Sequence, residues 1–208
     1  MIRRLSAGLF AGLFVSALAL AGTQASAQEL FTPMYKAPYR AFTNYEMGVG
    51  FSQPTGADYA LEAFYGLGRG RNDFGVGVAY LNFCCGESGV AVGGNFRTRV
   101  LQSSQDFPLD GALTLGVGGL FGNGTTLFTV PVGLTIGRRV VLEGSNTSFV
   151  PYLMPTMVPT FGGGDSDVGF DLGLGVDVRL SRSLDVRVSG ALGDATRRGI
   201  GVALAFVH

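Results

Sequence analysis

The sequence predicts an all-β fold: a closed, antiparallel up-and-down barrel that crosses a membrane with ten strands, eight being the alternative. Three observations carry this. Large apolar residues alternate with small ones at a period of two through most of the 208 residues. Successive side chains of a strand point to opposite faces, so this period gathers the large groups on one side, whereas a helix scatters them. The second face carries Gly and Ala where a wet face would carry Lys, Glu and Gln. The chain has 34 glycines and only 14% charged residues, against about 7% Gly and about 25% charged in a soluble domain. Finally, no stretch beyond the amino-terminal segment approaches the ~20 apolar residues of a membrane helix, so an exported chain of this kind either dissolves or crosses with strands.

The elements follow in order. Residues 1–27 read as a cleaved signal peptide: Arg3 and Arg4 form a positive start, Leu5 to Ala21 an apolar run, and Ala25-Ser26-Ala27 the small-x-small cleavage pattern. Residues 28–42, with two prolines and no period, read as an irregular arm. The barrel occupies 43–208. Its strands show one apolar face each: Tyr45 to Phe51, Tyr59 to Leu67, Phe74 to Tyr80, Val90 to Val100, Leu113 to Phe121, Phe128 to Ile136, Val168 to Leu180, Leu184 to Leu192 and Ile200 to Phe206. A tenth, Phe149 to Phe161, is apolar without a clear phase and contains Pro151, Pro155 and Pro159; proline cannot donate to a ladder, so this strand is the weakest of the set. Turn residues separate the strands, among them Pro54-Thr55-Gly56, Gly70-Arg71-Asn72-Asp73, Asn123-Gly124 and Ser181-Arg182-Ser183. No gap holds a crossover helix, so neighbouring strands pair antiparallel.

Small residues suit the inside of a narrow closed barrel, with Val, Leu, Phe and Tyr facing lipid. Closure also leaves no unpaired backbone edge in hydrocarbon. The final stretch Gly201-Val202-Ala203-Leu204-Ala205-Phe206 resembles the terminal assembly signal of bacterial outer-membrane barrels, with Gly201, Leu204 and Phe206 at its marked positions. The hairpin over 168–192 is similar to the last hairpins of small barrels related to outer membrane protein A. This resemblance implies a bacterial outer-membrane location, with lipid and the barrel-assembly machinery as partners. It departs from that pattern in ending on Val207-His208 and in lacking a following peptidoglycan-binding domain. Both ends of the barrel then lie in the periplasm, which places the connections 102–110 and 139–147 on that side.

The inner face carries Glu46, Glu62, Asp171, Asp177 and Asp185 against Arg97, Arg99, Arg179 and Arg187. Nearly balanced charges read as a salt-bridged filling of the lumen; a selective pore would show a ring of one sign. If Ser181-Arg182-Ser183 is the turn, Arg179 lies opposite Asp185 and Asp177 opposite Arg187. Glu46 and Glu62 share a hairpin and have the residue type of an acid/base pair. The single histidine, His208, removes most zinc and Ser-His chemistry, so no enzyme activity is expected. Cys84 and Cys85 admit a vicinal disulfide, two unpaired thiols or intermolecular pairing, but their spacing makes no metal site. No cofactor is implied. Lys and Arg total 15, as do Asp and Glu, leaving no basic surplus for nucleic acid. The function expected is structural or surface-interacting with a largely plugged lumen; a narrow channel for small solutes and a soluble secreted binding barrel are the alternatives.

Overall fold

The computed structural model describes residues 30–39, 42–105, 107–122, 124–142, 144, 147–193 and 198–208. The leader expected over 1–27 lies outside them. Among the described residues the strands are β1 (Tyr45–Pro54), β2 (Ala57–Arg69), β3 (Asn72–Phe83), β4 (Ser88–Leu101), β5 (Asp110–Gly122), β6 (Thr125–Thr129), β7 (Val132–Gly137), β8 (Val140–Val141), β9 (Ser148–Gly162), β10 (Asp165–Arg179), β11 (Leu184–Gly193) and β12 (Gly199–Val207). Each pairs antiparallel with its neighbour, and β12 pairs with β1 from Val207↔Glu46 to Gly199↔Pro54, which closes the sheet. Strands β6, β7 and β8 succeed one another along β9 as one broken stave. The result is a closed barrel of ten staves, as the alternation predicts.

The break has a chemical cause. Pro151, Pro155 and Pro159 all fall on odd positions of β9, the outward face. In an antiparallel ladder a residue's C=O and N–H point to the same neighbour. The carbonyls of Pro159 and Pro151 accept from Val130 and Arg138, so the missing proline donors also face the β6–β8 stave. Pro131 interrupts that stave from within. On its other edge β9 pairs without interruption with β10, from Gly162↔Asp165 to Ser148↔Arg179.

The barrel is inside out relative to a soluble one. Val49, Leu61, Val76, Val117, Leu174, Val202 and Leu204 are exposed, while Glu46, Glu62, Asp73, Arg97, Asp110, Asp185 and Arg187 are buried. Aromatic rings cluster at both ends of the apolar band: Phe51, Tyr59 and Tyr80 lie together at one, Tyr45, Tyr65 and His208 at the other. A band of this kind between two aromatic girdles suits a bilayer and no aqueous surface, which removes the soluble alternative.

Two details differ from the sequence reading. Asn72 and Asp73 belong to β3 and not to the turn before it. The arm, which carries no period, lies inside the barrel. Tyr35, Ala37, Thr32 and Phe42 are buried, and the arm's backbone and side chains bond inward residues of six different staves, as described below.

Candidate functional site: the lumen

Glycine on one strand makes room for a large inward residue on the next. Across the β1–β2 ladder, Gly48 faces Phe64, Gly50 faces Glu62 and Gly66 faces Glu46. A Cβ on Gly50 would come within 2.8 Å of the Glu62 side chain, and one on Gly66 within 2.9 Å of Glu46. The same device seats the arm. Cβ atoms on Gly173, Gly77 and Gly201 would collide with Tyr35, Leu30 and Met34 respectively. These inward glycines therefore mark places where a large side chain or the arm enters the lumen.

The charges form one connected cluster and two satellite pairs. Glu46, fully buried, accepts from Lys36 of the arm at 2.6 Å and from Arg187. Arg187 also lies 3.5 Å from Asp177, whose carboxylate accepts the Ala37 N–H at 3.2 Å. The ring of Phe64 lies beneath both cations, 5.3 Å from Lys36 and 5.4 Å from Arg187, an arrangement in which the aromatic face attracts positive charge. Arg97 pairs with Asp73 at 2.7 Å and donates to the Ala37 carbonyl at 2.6 Å. Arg179 pairs with Asp185 across the hairpin turn.

The register Arg179↔Asp185 and Asp177↔Arg187 is the one parity predicts, and the Leu180 N–H donates to the Leu184 carbonyl at 3.0 Å. Asp171 is buried opposite Gly193, and Arg99 points inward, half-buried, opposite Ala112. Glu46 and Glu62 do not converge. Glu62 lies opposite Gly50, four residues along β1 from Glu46, roughly 13 Å, and Glu62 accepts the Thr32 hydroxyl at 2.7 Å.

Sequence reasoning missed the arm's share of this site. Tyr35 donates its N–H to Ser189, and its carbonyl accepts the Tyr152 hydroxyl at 2.9 Å. Ser189 in turn donates to the Pro33 carbonyl at 2.9 Å. A signal was available: Lys36 is the only lysine in the chain, in a segment otherwise rich in aromatic residues. Asp73 and Asp110 were also missed, although each has the inward parity of its strand. Beside the arm a cavity of about 50 Å³ remains, lined by Leu30, Lys36, Glu62, Phe64, Asn95 and Arg187 among others, room for about four waters.

Cys84 and Cys85 lie in the turn Cys84–Gly86 after β3 and are exposed free thiols. Cys85 holds a left-handed φ of 67°. The neighbouring Cys85 thiol pushes Cys84 above the ordinary thiol range, which leaves it less thiolate and less reactive. The turn is closed independently of sulfur, by the Phe83 N–H donating to the Glu87 carbonyl at 2.9 Å. Changing both cysteines to Ser is expected to leave the folded yield unchanged, read by heat-modifiable gel mobility; loss of the folded form would assign the thiols a structural role.

No family model and no curated protein matches the sequence. Solved structures do match in fold. The β domain of the Bordetella autotransporter BrkA superposes with a TM-score of 0.55 at 14% identity, over 80% of this chain and all of that one. A bacterial polysaccharide outer membrane secretin superposes with a TM-score of 0.50 at 11% identity, over 79% of this chain and 65% of that one. The chain has the outer-membrane β-barrel fold. The outward apolar band and the closed ladder put this barrel in the bacterial outer membrane, where an open edge or an inward apolar face would fail. In the barrel the terminal Gly201, Leu204 and Phe206 lie on the closing strand β12, Gly201 inward beside Met34 and the other two on the lipid face.

Proposed function

We propose that this barrel has a structural or surface-interaction role, with its lumen kept closed by its own amino-terminal arm and with no enzyme activity. Its partners on this reading are outer-membrane lipid and the barrel-assembly machinery. The observation that carries the reading is the arm itself: residues 32–37 bond inward groups of β1, β2, β4, β9, β10 and β11, and the cavity beside them is only about 50 Å³. The reading without catalysis is supported by Glu46, Glu62, Asp73, Asp177 and Asp185, which are engaged by a cation or the arm. Structural filling is thus shared between charge pairs and arm, not supplied by charge pairs alone.

Planar-bilayer conductance tests the closed lumen. The intact protein is expected to be silent, and a variant lacking residues 30–41 to show steady openings. That open form should favour cations, because Glu46, Glu62, Asp73, Asp110, Asp171, Asp177 and Asp185 would face Arg97, Arg99, Arg179 and Arg187 without Lys36. Steady openings from the intact protein would establish the narrow channel instead.

A further inference from the structure

The two ends of the barrel carry opposite charge. At the end where β1 begins and β12 finishes, Arg69, Arg71, Arg138, Arg139 and Arg182 are exposed. Among the described residues no acidic side chain is exposed there, since Asp73, Asp110 and Asp185 are buried. At the opposite end Asp58, Glu87, Asp165 and Asp167 are exposed against Arg198.

Parity fixes where three of these arginines lie. The outward face of β2 runs through the odd positions Leu61, Tyr65 and Leu67, and the next odd position is Arg69. In β7 the outward positions are even, Val132, Leu134 and Ile136, and Arg138 follows them. In β10 the outward line runs through Leu172 and Leu174 to Leu180 just past the strand, and Arg182 tips the turn after it. Arg69 and Arg138 thus stand one outward step, roughly 7 Å along the chain, beyond the last apolar side chain of their columns. The three positions belong to well-separated staves, so the positive charge rings the rim. Tyr45, Tyr65 and His208 gather at the same end, and aromatic rings of a membrane girdle sit at headgroup level. A side chain just beyond them meets headgroups. Arg139 is committed to Tyr39 and Ser148 and is not counted among the three.

We propose that this rim binds the phosphate groups of anionic lipid headgroups in the leaflet it meets, with Arg69, Arg138 and Arg182 as the contact residues. This rests on the outer-membrane reading and deepens it by naming the lipid class. A guanidinium is permanently charged and planar, and its fork of donors matches two phosphate oxygens at once. The acidic rim has the opposite preference, because Asp58, Glu87, Asp165 and Asp167 repel the same headgroups. The two leaflets are therefore not equivalent to this barrel.

The test offers the folded protein, extracted in a non-ionic detergent, equal amounts of phosphatidylglycerol and phosphatidylcholine, and counts the lipids it retains by native mass spectrometry. The native protein is expected to prefer phosphatidylglycerol, by about five-fold for each arginine that reaches a headgroup. Arg69→Gln, Arg138→Gln and Arg182→Gln should each remove part of that preference, and the three together all of it, with heat-modifiable gel mobility retained. Asp165→Asn with Asp167→Asn, at the other rim, should leave the preference intact. Equal retention of the two lipids by the native protein, or an undiminished preference in the arginine variants, would overturn the proposal and leave the barrel reading standing. Displacement of the lipid by inorganic phosphate, beyond that caused by sodium chloride of equal ionic strength, would assign the arginines to a free anion and overturn the lipid assignment. A protein that stays folded in solution without detergent and retains neither lipid would contradict the outer-membrane reading itself.

Discussion

Glu46→Ala is expected to be the most damaging change inside the barrel. Glu46 is fully buried and is the shared partner of Lys36 and Arg187, so its removal strands Lys36 and leaves Arg187 with its longer contact to Asp177 at 3.5 Å. Removing one partner of a buried ion pair costs about 3–5 kcal/mol, and here the arm loses its only charged anchor on β1. The unfolding midpoint in detergent should fall sharply. Asp177→Ala should cost less, because Arg187 keeps Glu46. The combined change Glu46→Ala with Arg187→Ala should recover part of the single loss. Strictly additive losses would show that the two side chains do not share a site.

An Arg on the lipid face produces the second large effect. Leu174 and Val202 are outward residues in the middle of β10 and β12. Arg at the bilayer midplane of a barrel costs about 2–4 kcal/mol, enough to deplete the folded form. Leu174→Arg and Val202→Arg should each lower the heat-modifiable fraction severely, whereas Glu87→Arg, exposed just beyond the Cys84–Gly86 turn, should not. Equal folded yields for all three would mean that the apolar face does not meet lipid.

These two substitutions also separate what the sequence carries locally from what it does not. Period-two alternation assigns Leu174 to one face and its neighbour Gly173 to the other, and parity then sets the pairing of Arg179 with Asp185. Such inferences need only adjacent residues, and the strand order follows from short turns. The Lys36–Glu46 bond, by contrast, joins an aperiodic arm to a strand, and Tyr35 meets Ser189 from the far end of the chain. No spacing rule reports a contact of that kind. The inward glycines were legible as small residues, but their purpose was not: Gly173 is small because Tyr35 lies against it. In β9 the common odd parity of Pro151, Pro155 and Pro159 would have fixed the phase. The missing donors explain why β6 and β7 are separate strands.

The central claim is that the large apolar face of a closed barrel is its lipid face, and gel mobility tests it most directly. The protein should fractionate with outer membranes, require detergent for extraction, and run faster in SDS unboiled than boiled, because a closed membrane ladder resists SDS until heated. Recovery in the aqueous periplasmic fraction, with identical mobility before and after boiling, would contradict the account.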